Sequence, residues 1–105
     1  MDNTRIYELP CLDGRKSFYG KAHILEDNNG NRTLVSYTTM ICKLDKHGNL
    51  TKLDPTVTPT TRRHIRSFLR FLDIPVPANR AWDALPLHTV IPTNDLAFTG
   101  RRAGA

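Results

Sequence analysis

Cysteine is scarce in this 105-residue sequence, and its two copies, Cys11 and Cys42, do not form a CxxC pair. Two isolated cysteines make a poor metal site, because structural zinc needs four ligands, most of them closely spaced in pairs. A chain of ordinary composition in a reducing compartment also needs no disulfide. We therefore predict two free, partly buried thiols.

Long apolar runs are absent too, and none approaches the roughly 18 to 20 residues that span a bilayer. The first five residues lack the basic and apolar regions of a signal peptide. We expect a cytoplasmic protein with no membrane contact. Its length leaves room for one domain, and a hydrophobic share of 39% is enough for a packed core.

Catalytic patterns are missing as well. The sequence has no GxSxG, no P-loop and no Rossmann glycine pattern. Its four histidines are isolated from one another and from cysteine: His23, His47, His64 and His88. We therefore expect no metal, no cofactor and no enzymatic activity. A small enzyme with a site assembled across the fold is the least favoured alternative.

The first half contains strands and turns. β-prone segments are predicted at residues 5–9, 17–26, 33–44 and 50–53. Hairpin loops at 27–31 and 46–49 separate them, since Asn and Gly accept the positive φ that tight turns require. Gly20 indicates a bulge, and the uneven alternation at Thr38 and Thr39 indicates a bulge or burial on both faces. These patterns predict an antiparallel meander of three to four strands.

The second half changes to helical periodicity. Thr58 before Pro59 is typical of an N-cap followed by proline at the first helical position, with Thr60 as an alternative cap. Apolar residues then recur at i, i+3, i+4 and i+7, namely Ile65, Phe68, Leu69 and Leu72. We predict an α-helix over 59–72 that covers the sheet and a short second helix over 80–85 that buries Trp82. The fold class is α+β, with one domain over 1–86 and a partly flexible extension over 87–105.

Positive charge is unevenly distributed along the chain. Residues 1–54 carry eight basic and seven acidic side chains, for +1, whereas residues 55–105 carry seven and three, for +4. Four arginines of the predicted helix share an arc of about 100° with no acidic residue between 60 and 72: Arg62, Arg63, Arg66 and Arg70. The planar fork of arginine suits phosphates or the carboxylates of an acidic partner. The alternative is an ordinary solvated helix face.

Aromatic residues accompany this charge in two places. Phe71 lies away from the apolar stripe, where it either contacts a partner beside the arginines or packs under the proline-rich segment at 75–77. Tyr19, Lys21 and His23 alternate along the second predicted strand and would form an aromatic and basic platform on one face. Such a row is also typical of the solvent side of a sheet.

Five segments together resemble a domain family of unknown function that occurs in small proteins of phages, plasmids and conjugative elements. They are KSFYGKA (16–22), LVSYTT (34–39), CKLDKHGNL (42–50), TTRRHIRSFL (60–69) and AWDALP (81–86). The resemblance covers residues 16 to 86 and implies no particular site. It does imply a setting, since small proteins of mobile elements handle DNA, regulate the element or blunt host defences, as anti-CRISPR proteins do.

Charge and resemblance lead to two functional hypotheses. The first is a non-catalytic inhibitor or modulator of a host nucleic-acid-dependent complex, such as an anti-CRISPR protein that docks on an RNA-guided nuclease through the basic helix. The second is a nucleic-acid-binding accessory protein of the element, with the same arginines on phosphates. Either way, the expected partner presents an acidic surface, and the sequence leaves the oligomeric state open.

Overall fold

The computed structural model describes residues 4–10, 20–55 and 58–96 of the chain. Within these residues there are six strands and three helices. In chain order they are β1 (Arg5–Glu8), β2 (Ala22–Glu26), β3 (Arg32–Ser36), β4 (Thr39–Leu44), β5 (Asn49–Lys52), α1 (Pro59–Phe71), α2 (Asn79–Ala84), β6 (Val90–Pro92) and α3 (Thr93–Leu96).

The six strands form one antiparallel sheet in which each strand pairs with the next, in the order β1 to β6. The predicted α+β class and the meander are confirmed, but the predicted number of three to four strands is wrong. The single strand expected over 33–44 is two strands, β3 and β4, joined by the turn Tyr37-Thr38. β6 is the second strand that was not predicted; it lies within the predicted extension over 87–105 and pairs with β5.

Two irregularities lie elsewhere than expected. β2 begins at Ala22 and not at residue 17, and Gly20 lies in the preceding turn with a φ of 72°. The register shift, which indicates a β-bulge, lies between β3 and β4 at Leu34/Val35. Ile41 and Cys42, which are consecutive in β4, are both buried. At Thr38 and Thr39 themselves the expectation of a bulge or burial on both faces is wrong, because Thr38 lies in the turn and both residues are exposed.

Cys42 is fully buried and its thiol is free. Burial raises the pKa of this thiol well above its ordinary value, so the side chain is a neutral part of the core. Cys11, the other predicted free thiol, lies outside the described residues.

Two hairpin loops use the same local chemistry. The Asp27 side chain accepts hydrogen bonds from the backbone N–H groups of Asn29 and Asn31 at 2.9 and 3.0 Å. Asp45 accepts the equivalent bonds from the residues two and four positions further on, at 2.8 and 2.9 Å. The Asn31 side-chain amide also donates to Asp27, at 2.9 Å, and this bond together with the backbone bonds lowers the pKa of Asp27. The backbone bonds lower the pKa of Asp45 in the same way. The two hairpins predicted from Asn and Gly are thus confirmed, and hydrogen bonds to an aspartate side chain stabilise each loop.

Helix α1 begins as predicted, with Thr58 Oγ1 accepting a hydrogen bond from the Thr61 N–H at 3.1 Å. The predicted apolar stripe packs on the sheet: Ile65, Phe68 and Leu69 are buried and Leu72 is half-buried. The helix also buries three polar residues, Thr61, His64 and Ser67, which the apolar periodicity does not include.

A buried lysine connects the sheet to α2. Lys52, the last residue of β5, is only 4% exposed. Its Nζ donates hydrogen bonds to three carbonyl oxygens, those of Trp82, Asp83 and Leu85, at 3.0, 3.3 and 3.3 Å. Carbonyl groups at the C-terminal end of a helix lack their usual intrahelical partners, and the ammonium group donates to all three, although the Trp82 oxygen also accepts the Leu85 N–H at 3.1 Å. Trp82 is buried beside it, as predicted.

Candidate functional site

Two arginines of α1 are engaged inside the fold. Arg62 Nη2 lies 2.8 Å from Asp83 Oδ2 of α2, and the Arg62 side chain is only 19% exposed. Arg66 donates a hydrogen bond of 3.3 Å to the side-chain oxygen of Asn79, in the first turn of α2. These arginines therefore hold α2 against α1. The expectation that nothing neutralises the arc is wrong for Arg62, because the acidic partner comes from the next helix.

Arg70 and Phe71 lie at the C-terminal end of α1. Arg70 is exposed in the last turn, where a cation interacts favourably with the helix dipole. The Phe71 ring meets Tyr7 of β1 edge-on, with centroids 6.4 Å apart and planes at 62°. It nevertheless remains 41% exposed. Phe71 is thus accessible to a partner, and its ring packs against the edge strand β1.

Arg63 and Lys21, which are far apart in the sequence, both act electrostatically on the buried histidine His64. A 2.8 Å hydrogen bond joins His64 Nδ1 to Ser36 Oγ at the end of β3. Burial, followed by the positive charges of Arg63 and Lys21, lowers the pKa of His64 to about 4. His64 is therefore neutral at neutral pH and adds no charge to this part of the surface.

The Tyr37 ring lies next to the ring of the same histidine, His64. Its ring centroid is 6.1 Å from that of His64, with the planes tilted by 48°, and the residue is 55% exposed. The Tyr37 N–H donates a hydrogen bond to the Lys21 carbonyl oxygen at 2.6 Å. Because the Tyr37 ring lies against His64 and the charges of Lys21 and Arg63 both act on it, we call these three side chains the Lys21–Tyr37–Arg63 cluster.

A cleft of about 250 Å³ opens beside Tyr37. It is lined by Ser36, Tyr37, Thr39, Ile41, Asp54, Thr58 and Thr61. This lining includes several hydroxyl groups and one carboxylate, that of Asp54, but no lysine or arginine. The cleft is therefore not itself basic.

The predicted platform of Tyr19, Lys21 and His23 does not form one strand row. Lys21 lies in the turn before β2, whereas His23 is within β2 and has its Nε2 3.2 Å from Glu8 Oε2. Tyr19 lies outside the described residues. Of the predicted platform, Lys21 is the residue that the structure places beside other candidate residues.

Sequence reasoning missed Tyr37 and His64. The strand predicted over 33–44 places Tyr37 in its interior, although the alternation is broken at 38–39, next to the turn. The sequence alone shows His64 only as an isolated histidine. It lies four residues before Phe68, and residues at this spacing share one face of a helix, so its burial was readable from the apolar stripe.

Among the described residues, no group of three or more His, Cys, Asp or Glu side chains is arranged to hold a metal ion. None of the helices in the described part of the chain has the length and apolar character that a membrane crossing requires.

A comparison with family models matches residues 7–75, more than half of the chain, to a family of unknown function, DUF8033. No curated protein and no solved structure matches the chain.

Proposed function

We propose that this chain, which belongs to the family of unknown function DUF8033, binds the phosphate groups of a nucleic acid without catalysis. The contact surface is the Lys21–Tyr37–Arg63 cluster. The observation that carries the proposal is the exposed Tyr37 ring, which lies against His64, the residue that follows Arg63, and whose backbone N–H is bonded to the Lys21 carbonyl oxygen. Proteins that bind nucleic acid combine these two kinds of side chain, cations for the backbone and aromatic rings for the bases.

Electrostatics supports the same partner. Lys21 is exposed, and the guanidinium group of Arg63 has the planar geometry that favours bidentate contact with phosphate. His64, on which both charges act, stays neutral at neutral pH and adds no third positive charge. The net charge of +5 attracts a polyanion over a longer range.

The resemblance to proteins of mobile elements gives the proposal a narrower form. In this form the nucleic acid is part of a host complex, such as an RNA-guided nuclease, which the protein inhibits or modulates. The alternative form is an accessory protein that binds free DNA or RNA of the element. Binding to an isolated oligonucleotide favours the alternative, whereas binding that requires the assembled complex favours the inhibitor.

Charge reversal at the cluster tests the proposal. We expect the double variant Lys21→Glu/Arg63→Glu to lose affinity for a fluorescent 20-nucleotide single strand by at least tenfold at moderate salt. The salt dependence should also weaken, because each lost phosphate contact on a single strand reduces the slope of log K against log salt by about 0.7. Fluorescence anisotropy at several salt concentrations measures both quantities.

Lys43→Glu/Lys46→Glu is the matched control. Both lysines are exposed, and they lie at the opposite end of β4 and in the loop that follows, so the net charge changes equally away from the cluster. This variant should retain most of the affinity and of the salt slope. Equal losses in the two double variants would contradict the proposed site, since they would indicate a response to net charge alone.

A further inference from the structure

Tyr37 occupies a backbone position that tyrosine rarely adopts. The two-residue turn between β3 and β4 has a positive φ of 57° at Tyr37 but not at Thr38. This sign pattern is that of a type II′ turn, in which the first central residue is normally glycine. A bulky side chain at positive φ is an outlier that the surrounding structure has to maintain. Turn geometry therefore does not explain the tyrosine.

Core packing does not explain it either, because the residue is 55% exposed. Its ring is nevertheless held in place. The Tyr37 ring packs against the ring of His64, and His64 is held by its hydrogen bond to Ser36. The Tyr37 N–H is bonded to the Lys21 carbonyl oxygen. The result is a supported aromatic ring, open to solvent, with a lysine and an arginine nearby.

We infer that Tyr37 stacks on an unpaired base, so that the protein prefers single-stranded nucleic acid to a duplex. This inference rests on the proposed function and names its substrate class. In a duplex, each base is already stacked between its neighbours, and an external ring finds no free face. In a single strand every base offers a π-face, while Lys21 and Arg63 contact the adjoining phosphates.

Two oligonucleotides of the same length, one single-stranded and one double-stranded, test the preference by fluorescence anisotropy. We expect the single strand to bind at least tenfold more tightly than the duplex. Tyr37→Gly should reduce single-strand affinity by about five- to one-hundred-fold, the range for loss of one stacked base. The same variant should leave the weaker duplex affinity within a factor of two. Tyr37→Phe, which keeps the ring, should bind like the wild type.

Tyr37→Gly suits this test because the turn itself favours glycine, and thermal unfolding checks that the fold is kept. Should that variant fail to fold, Tyr37→Leu replaces it, since leucine keeps the bulk and loses the aromatic face. Equal binding of both oligonucleotides, sensitive to charge reversal at Lys21 and Arg63 but not to Tyr37→Gly, would overturn the stacking inference and leave the proposed function intact. If neither oligonucleotide binds, the stacking inference and the proposed function are both overturned for free nucleic acid.

Discussion

Lys52 and Trp82 are joined by a hydrogen bond of 3.0 Å from the buried ammonium group to the backbone carbonyl oxygen of the tryptophan. The same ammonium lies 6.0 Å from the centroid of the Trp82 ring, within the range of a cation–π contact. Burial lowers the pKa of Lys52. This single cation therefore links the last strand before α1 to the end of α2.

Replacing this lysine should destabilise the protein. Lys52→Met keeps much of the aliphatic stem but leaves the three carbonyl oxygens near the end of α2 without this donor. We expect a loss of about 2 to 3 kcal/mol in the free energy of unfolding, measured in urea, because unsatisfied buried acceptors are costly. Lys43→Met, at an exposed position on the neighbouring strand, should change stability by less than about 0.5 kcal/mol. Equal stability of the two variants would contradict a role for the buried ammonium.

The ion pair between Arg62 and Asp83 should be measurable as a coupling energy. The Arg62 hydrogen bond lowers the pKa of Asp83, so the pair is ionised at neutral pH. In a double-mutant cycle with Arg62→Gln and Asp83→Asn, we expect a small favourable coupling energy that exceeds the error of the measurement, since one partner is largely covered and the other is exposed. A coupling near zero would mean that Arg62 is available to a partner after all.

The buried His64 should make stability depend on pH in a defined window. Its folded-state pKa of about 4 lies below the ordinary value of 6.5, so the unfolded chain binds the proton first as pH falls. The stabilisation is therefore complete above about pH 6.5 and is lost progressively towards pH 4, by about 3 kcal/mol. Urea denaturation between pH 4 and pH 7 measures it. His64→Gln should flatten this part of the profile, and parallel profiles for the two proteins would refute the assignment.

Phe68 and Phe71 offer a matched pair for the core. Phe68 is fully buried, so Phe68→Ala should cost about 3 to 5 kcal/mol through lost burial and the cavity left behind. Phe71 is half-exposed and meets Tyr7 edge-on, so Phe71→Ala should cost only about 1 kcal/mol. Thermal or urea unfolding of both variants gives the comparison. A larger loss at Phe71 would mean that the orientation of α1 is reversed.

Local rules were sufficient for much of the fold. Thr58 and Pro59 marked the start of α1, and the apolar spacing identified its buried face. The Tyr37-Thr38 turn is not predicted because it contains neither glycine nor asparagine and lies within a run rich in β-branched residues, which is typical of a strand. β6 was missed for another reason: its three residues show no alternation, and pairing with β5 is what makes them a strand.

The candidate site was predictable only in part. Arg63 and Lys21 were named from the sequence, but separately, in a helix face and in a strand face. Their joint action on His64 depends on how α1 packs on the sheet, which no local pattern records. The pairing of Arg62 with Asp83 is likewise a tertiary contact, and it removed one of the predicted contact arginines from the open surface.

The order of the strands also implies an order of folding. β2 to β5 are joined by short loops, at 27–31, 37–38 and 45–48, and short loops close quickly and at low entropic cost. The pairing of β5 with β6 spans both α1 and α2 and therefore closes a much longer loop. We therefore expect β6 to join the sheet last and its amide protons to exchange with solvent before those of the central strands.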